Sequence, residues 1–213
     1  MANALLYTQS GGGKTVNSTL VAAPKRGKNL LICTDNSSIV LRNFERPNLE
    51  IQNATTVKDA LDALRSGHES KKYDNIIFDN LSDLVDMWLL ELEESGKFKD
   101  FRQAYQLVYQ GLKRLARDSA LPGDCNTIFT AWSDIVEFTL PTGEVVNRLQ
   151  PKIPGKVLDN FCGQINVVAY INTHTDKDGN KRWYYVTEGK PTLIAKDQIG
   201  CRKSCMPEDL FKL

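Results

Sequence analysis

ALLYTQSGGGKT, residues 4–15, is the stretch on which the fold turns. Its first four residues, Ala4, Leu5, Leu6 and Tyr7, form a short apolar run that stops at polar residues and a glycine cluster. That pattern reads as a strand buried on both faces and not as an amphipathic helix. Residues 14–23 then suit a helix, which Pro24 closes. A solvated turn at Lys25, Arg26, Gly27 and Lys28 leads to a second apolar run, residues 30–33, followed by Thr34, Asp35 and Asn36. Strand, helix and strand in this order make a βαβ unit, so the spacing predicts an α/β fold built on a mainly parallel sheet.

The polar half of the same stretch carries the chemistry. Gly13, Lys14 and Thr15 match the last three fixed positions of G-x-x-x-x-G-K-[ST], with Thr8 where the first glycine is expected. Gly11, Gly12 and Gly13 let the backbone turn its N–H groups around phosphate oxygens, and a helix starting near Lys14 would add its positive end. Gln9, Ser10, Gly11, Gly12, Gly13, Lys14 and Thr15 are therefore the candidate phosphate-binding residues. Lys14 would reach the β and γ phosphates, and the Thr15 hydroxyl would ligate Mg²⁺. The plainer alternative is a glycine-rich turn with a solvated lysine. Downstream, Ile76, Ile77, Phe78 and Asp79 read as a buried strand ending in a carboxylate, placed to hold the same magnesium; buried strands also end in Asp for turn reasons alone. The two halves together make ATP and Mg²⁺ the expected ligands.

The remaining periodicities extend the α/β reading. Residues 49–51 suggest a brief strand. Val57, Ala60, Leu61 and Leu64 fall on one helix face, and residues 73–79 form the second buried-strand signature. Two helices follow on the stripes Leu84, Val85, Trp88, Leu89, Leu92 and Phe101, Tyr105, Val108, Leu112, Leu115, separated at Gly96. After a turn at Leu121, Pro122, Gly123 and Asp124, residues 127–130 and 165–171 read as buried strands. The segment between them, rich in Pro, Gly and charge, reads as a long loop. Turn chemistry at Asp176, Lys177, Asp178, Gly179 and Asn180 predicts a late antiparallel hairpin from residues 167–175 and 182–187.

Composition bounds the rest. A chain of 213 residues with 41% hydrophobic and 25% charged residues suits one folded domain, residues 1–213, and argues against disorder or a fibrous architecture. A net charge of +1 leaves nucleic-acid binding to local basic patches. No run nears the roughly 20 apolar residues of a membrane span, and no signal-peptide pattern precedes the glycine loop, so a cytoplasmic location is expected. Five scattered cysteines suit reduced thiols and no secreted disulfide framework. Cys201 and Cys205 are close, but His68 and His174 lie far off in sequence, and zinc asks for four ligands.

On these residues the chain resembles the RecA-core ATPases, and more narrowly the phage-encoded Sak-type ATPases associated with single-strand-annealing recombination. The resemblance rests on the glycine loop near the N-terminus, IIFDNLSD at residues 76–83, NTIFTAW at residues 126–132, and PKIPGK at residues 151–156 followed by a hairpin and IAKDQIG at residues 194–200. It spans nearly the whole chain and implies a RecA-like core with a C-terminal antiparallel hairpin. It also implies a phage or prophage protein in a bacterial host, working as a homo-oligomer with nucleotide at subunit interfaces, on single-stranded DNA, beside a recombination or single-strand-binding partner. Thr130 would sense the γ phosphate, Asp35 would position the attacking water, and Lys196 would reach a neighbour's nucleotide. Trp132 stands where a histidine is expected, and Gln198 where an arginine is. Gln cannot deliver a cation to the transferred phosphoryl group. Arg202 or Lys203 would have to substitute, or else both belong to a solvated basic turn. Asp35, one methylene shorter than Glu, suits a turn cap equally well.

A second ligand has three candidate surfaces. The resemblance implies that the loop at residues 133–155 faces a central channel; with the residue beyond it, it carries Arg148, Lys152 and Lys156. The outer stripe Gln103, Gln106, Gln110, Lys113, Arg117 suits either a nucleic-acid backbone or solvent. Trp183, Tyr184 and Tyr185 suit base stacking or ordinary strand packing. Two other activities fit the motif: a small-molecule kinase, which needs an arginine-bearing lid that the sequence does not show, and a binding module that uses ATP without turning it over.

Overall fold

A computed structural model describes residues 2–44, 46–98, 100–120, 123–175 and 177–212. The expected turn residues Leu121, Pro122 and Asp176 lie outside the described residues. Strand β1, Asn3–Thr8, is buried along its whole length. Its alternation sends Leu5 and Tyr7 into one hydrophobic layer and Ala4 and Leu6 into the other, which is why a continuous apolar run was needed. Helix α1, Lys14–Ser18, is shorter than the expected residues 14–23. The Ser18 and Thr19 hydroxyls donate back to Thr15 O and Val16 O, local bonds that compete with helix continuation.

The next strands are β2, Asn29–Cys33, and β3, Leu49–Asn53, joined through a 3₁₀ helix at Asn36–Asn43. Helix α2, Val57–Ser70, follows, capped by the Thr56 hydroxyl accepting from Asp59 N. Then come β4, Asn75–Asp79, α3, Leu81–Glu94, and α4, Phe101–Ser119. The two helical stripes read from sequence bury Leu84, Val85, Val108, Leu112 and Leu115 in the layer shared with Leu5 and Tyr7.

The expected long loop between residues 130 and 165 is not a loop. Strand β5, Asn126–Thr139, runs far past the sheet and pairs antiparallel with β6, Val145–Pro151, and helix α5, Gly155–Gln164, follows. Pro141 and Gly143 mark only the hairpin tip, where Gly143 takes φ 88° and its N–H donates to Leu140 O at 2.8 Å. The β-branched and aromatic residues on either side, Ile135, Val136, Phe138, Val145 and Val146, form the strands.

The late hairpin forms as expected from β7, Val167–Thr175, and β8, Lys181–Val186. Two short pieces, β9, Lys196–Asp197, and β10, Ser204–Cys205, complete the edge. The sheet runs β10-β8-β7-β1-β5-β4-β2-β3. From β7 to β3 all neighbours are parallel, and β8 and β10 add antiparallel strands beyond β7. The glycine loop leaves the middle of the sheet at its C-terminal edge, where open α/β sheets bind ligands.

Candidate functional site

The glycine loop and the end of β4 meet although β5 separates β1 from β4. Asp79 is fully buried and accepts three hydroxyl hydrogen bonds. Thr15 Oγ1 donates to Oδ2 at 2.6 Å, Ser37 Oγ donates to the same oxygen at 2.8 Å, and Thr130 Oγ1 donates to Oδ1. Burial pushes the Asp79 carboxyl above its ordinary value, the three hydroxyls pull it back, and Asp35 adds to the rise. Thr130, one residue past the pairing of β5 with β4, thus stands between the glycine loop and β4.

Lys14 is 8% exposed. Burial pulls its ammonium below the usual range, and Asp79 and Asp35 oppose that shift. A buried cation beside two carboxylates, with no ion pair among the described residues, is charge arranged for something else. Gly11 and Gly13 take φ 76° and 85°, and Gly12 N donates to Gln9 O at 3.0 Å, closing the turn. A β-carbon on Gly12 would lie 2.5 Å from the Thr8 side chain and 3.0 Å from Gln9 O, so any side chain there forces the buried Thr8 or the turn to move. Gln9 and Ser10 are exposed at the rim. Hydroxyl and carboxylate oxygens are the donor set of a hard divalent cation, so Thr15 and Asp79 fit magnesium; the glycine backbone and Lys14 fit a polyphosphate. With five residues, α1 adds less of a positive helix end than the expected longer helix would.

Asp35 caps the 3₁₀ helix, accepting from Ser37 N at 2.8 Å, while its other oxygen accepts from Asn80 Nδ2 at 2.8 Å. Asp35 is therefore a cap, and its charge also bears on Lys14. Asn80 binds the site together. Its N–H donates to Thr34 Oγ1 at 3.2 Å, and its Oδ1 caps α3 by accepting from Asp83 N at 2.8 Å. Sequence reasoning missed Asn80, Ser37 and Asp83. The signal for Asn80 was an Asn with Asp three residues on, just before an apolar run.

The other expected site residues are elsewhere. Lys196 lies on the edge piece β9, opposite Val168, and its ammonium donates to Gly163 O at 3.1 Å. Arg202 is neither a free cation nor part of a solvated turn. It donates to Asp197 at 2.6 Å, Asp209 O at 2.6 Å and Leu210 O at 2.9 Å. Arg148 stacks over Phe138 at 3.0 Å and Lys152 lies over Trp132 at 5.0 Å, so both ride on the β5–β6 hairpin. Lys156 is exposed in the first turn of α5; Lys113 and Arg117 are exposed along α4. Of the aromatic trio, Tyr185 is buried and donates to Asn17 O at 3.0 Å, and Tyr184 accepts from Asn172 Nδ2 at 2.8 Å. No group of three or more Cys, His, Asp and Glu side chains suited to a metal occurs among the described residues, which leaves Cys201 and Cys205 without further ligands.

Residues 2–199 match the family described as an AAA domain. Among curated proteins, no sequence matches. Among solved structures, a type III secretion system ATPase of pathogenic bacteria superposes with TM-score 0.54 at 12% identity, over 80% of this chain and 51% of that one. This chain therefore spans about half the length of that ATPase. A KaiC-like protein from Pyrococcus horikoshii gives TM-score 0.49 at 13% identity, over 96% of this chain and 89% of that one. The flagellar accessory protein FlaH from Methanocaldococcus jannaschii gives 0.44 at 11% identity, over 95% and 83%. The fold is that of the RecA-like ATPases.

Proposed function

The chain belongs to the AAA domain family, and from that premise we propose that it binds ATP with magnesium at residues 9–15 and hydrolyses it while acting on single-stranded DNA. The setting is recombination or replication of a phage or prophage in the host cytoplasm, in a homo-oligomer with nucleotide at subunit interfaces and a recombination or single-strand-binding protein as partner. Among the described residues no helix is long and apolar enough to cross a membrane. The observation that carries the nucleotide reading is the convergence of Thr15, Ser37 and Thr130 on the buried carboxylate of Asp79 next to the buried Lys14.

The reaction is in-line attack of water on the γ phosphorus, breaking its bond to the β–γ bridging oxygen and releasing ADP and phosphate. Lys14 neutralises charge on the β and γ oxygens, and its burial strengthens that effect. Thr15 and Asp79 hold magnesium, which when bound spreads the negative charge of the phosphates. Thr130 reports the γ phosphate to β4 through Asp79. Asp35 accepts the proton side of the attacking water, held in place by Asn80. Lys196 supplies the trans cation on leaving its contact with Gly163. Arg148, Lys152 and Lys156 track a DNA backbone, with Lys113 and Arg117 as a second basic line.

A second reading, ATP binding with little turnover, is favoured by Asp35 itself, because both its oxygens are already engaged. Steady-state ATP turnover with and without single-stranded DNA decides between them. DNA-stimulated turnover supports the motor, tight binding without turnover supports the module, and phosphate transfer to a small acceptor would support a kinase instead. Normal ATP binding by Lys14→Ala would overturn the site.

A further inference from the structure

The β7–β8 hairpin climbs beside the glycine loop. Tyr7 of β1 pairs with Tyr170 of β7, and Tyr170 pairs with Val186 of β8. Tyr185, Tyr184 and Trp183 therefore stand successively higher on this flank, passing the end of β1. Side chains alternate, so Trp183 shares the face of Tyr185, which packs on α1. Trp183 reaches the loop itself: a methyl group on Gly13 would lie 3.1 Å from its Nε1 and 3.6 Å from its Cε2.

The Trp183 ring is half-buried against the layer of Ala4 and Leu6, and among the described residues the one buried polar side-chain atom without a partner lies beside it. Asn17 is fully buried; its amide donates to Gly13 O at 2.8 Å, while its Oδ1 has no donor. Its Nδ2 lies 2.9 Å from the same point on Gly13. A buried acceptor left open costs stability unless a ligand completes it.

The direction of the phosphate chain links these observations to a ligand. Asp79, Asp35 and Thr130 all stand on the β5, β4 and β2 side of the loop. A triphosphate whose reactive end lies there leaves the loop on the opposite flank, where Trp183 stands. We propose that Trp183 is the wall against which the nucleoside base of the bound triphosphate stacks. The ring reads the aromatic face of the base and not its hydrogen-bonding edge.

This inference rests on the nucleotide site proposed above, and calorimetric titration of ATP and of inorganic tripolyphosphate, each with Mg²⁺, separates the two. Trp183→Ala should weaken ATP about tenfold or more and leave tripolyphosphate unchanged, which also shows the loop to be folded. Trp183→Phe should recover most of the ATP affinity. Equal loss of both ligands in Trp183→Ala, or unchanged ATP affinity, overturns the wall while leaving the nucleotide site standing. Lys14→Ala should lose both ligands; if it keeps both, the nucleotide site itself falls.

Discussion

The Thr15 hydroxyl donates to Asp79 Oδ2 over 2.6 Å, joining the start of α1 to the end of β4 across 64 positions of sequence. The bond crosses β5, and Thr130 of that strand donates to the other oxygen of the same carboxylate. Any charge brought to Asp79 is thereby felt at the loop, at β5 and at Ser37. Its hydrogen bonds come from hydroxyls, which do not neutralise it, and the neighbouring Lys14 offsets only part of the burial that pushes its carboxyl up.

Asp79→Asn should therefore stabilise the nucleotide-free protein, by about 1 kcal/mol, while abolishing the magnesium-dependent stabilisation by ATP. The pH dependence has a definite sign. The folded state holds the Asp79 proton more tightly than the unfolded chain, so the carboxylate imposes no penalty below its ordinary value of 3.8 and a growing one as pH rises through its folded value. Thermal denaturation of both proteins at pH 4 and pH 7 checks this. The gain from Asn should be larger at pH 7, and an equal gain at both would contradict it.

Gly12→Ala should weaken ATP binding at least tenfold with little change in melting temperature. The new methyl group would meet Thr8 and the Gln9 carbonyl, and carbonyls of a tight turn cannot step aside without moving the loop. Gly12 contributes nothing to either hydrophobic layer, so the core survives. Calorimetric ATP titration alongside thermal melting decides it; unaltered ATP affinity would mean the loop is not the cradle.

Much of this arrangement was legible in the chain. Continuous burial of both strand faces makes β1, β2 and β4 conspicuous, and the glycines with Lys14 and Thr15 mark their own chemistry. The β5–β6 hairpin was not legible, because Pro141, Gly143 and Pro151 weigh heavily in a short window, while β5 beyond its buried run at residues 127–131 carries only half-exposed alternation. Asn80 and Ser37 were hidden for a different reason. Their roles come from long-range contacts with Asp35 and Asp79, and neither residue type signals such a role by itself. The structural role of Arg202 was hidden because the acceptors that enclose it come from a C-terminal turn with no periodic signal.

Replacing Arg148, Lys152 and Lys156 together by Gln should weaken single-stranded DNA binding and leave ATP binding intact. On the β5–β6 hairpin Arg148 and Lys152 are fixed over rings of the facing strand, which lowers the entropy lost on meeting a phosphate. For single strands each neutralised phosphate contributes about 0.7 to the slope of log affinity against log salt. The triple variant should therefore lose about 2 from that slope. Fluorescence anisotropy of a labelled oligonucleotide over a salt series measures it; an unchanged slope would move the DNA site to α4 or exclude one.

Arg202→Ala tests whether the cation after β9 serves catalysis or the fold. The Asp197 side chain is fully covered, and its carboxylate is held by Arg202 and by the N–H groups of Ile199, Gly200 and Arg202. Burial pushes its carboxyl up, but those partners outweigh it and hold the group below its ordinary 3.8. The stability it contributes is thus present above about pH 4 and lost as pH falls through the folded value. Removing Arg202 strands that carboxylate and leaves Asp209 O and Leu210 O without their guanidinium donors, a loss of about 2–4 kcal/mol at pH 7. The difference from the parent protein should be smaller at pH 3 than at pH 7, because the stranded carboxylate takes up its proton more readily than the paired one as pH falls. Urea denaturation at the two pH values reads it. If Arg202 serves the fold alone, ATP turnover per folded molecule stays near the parent level, whereas a trans cation is worth about a thousandfold or more in rate.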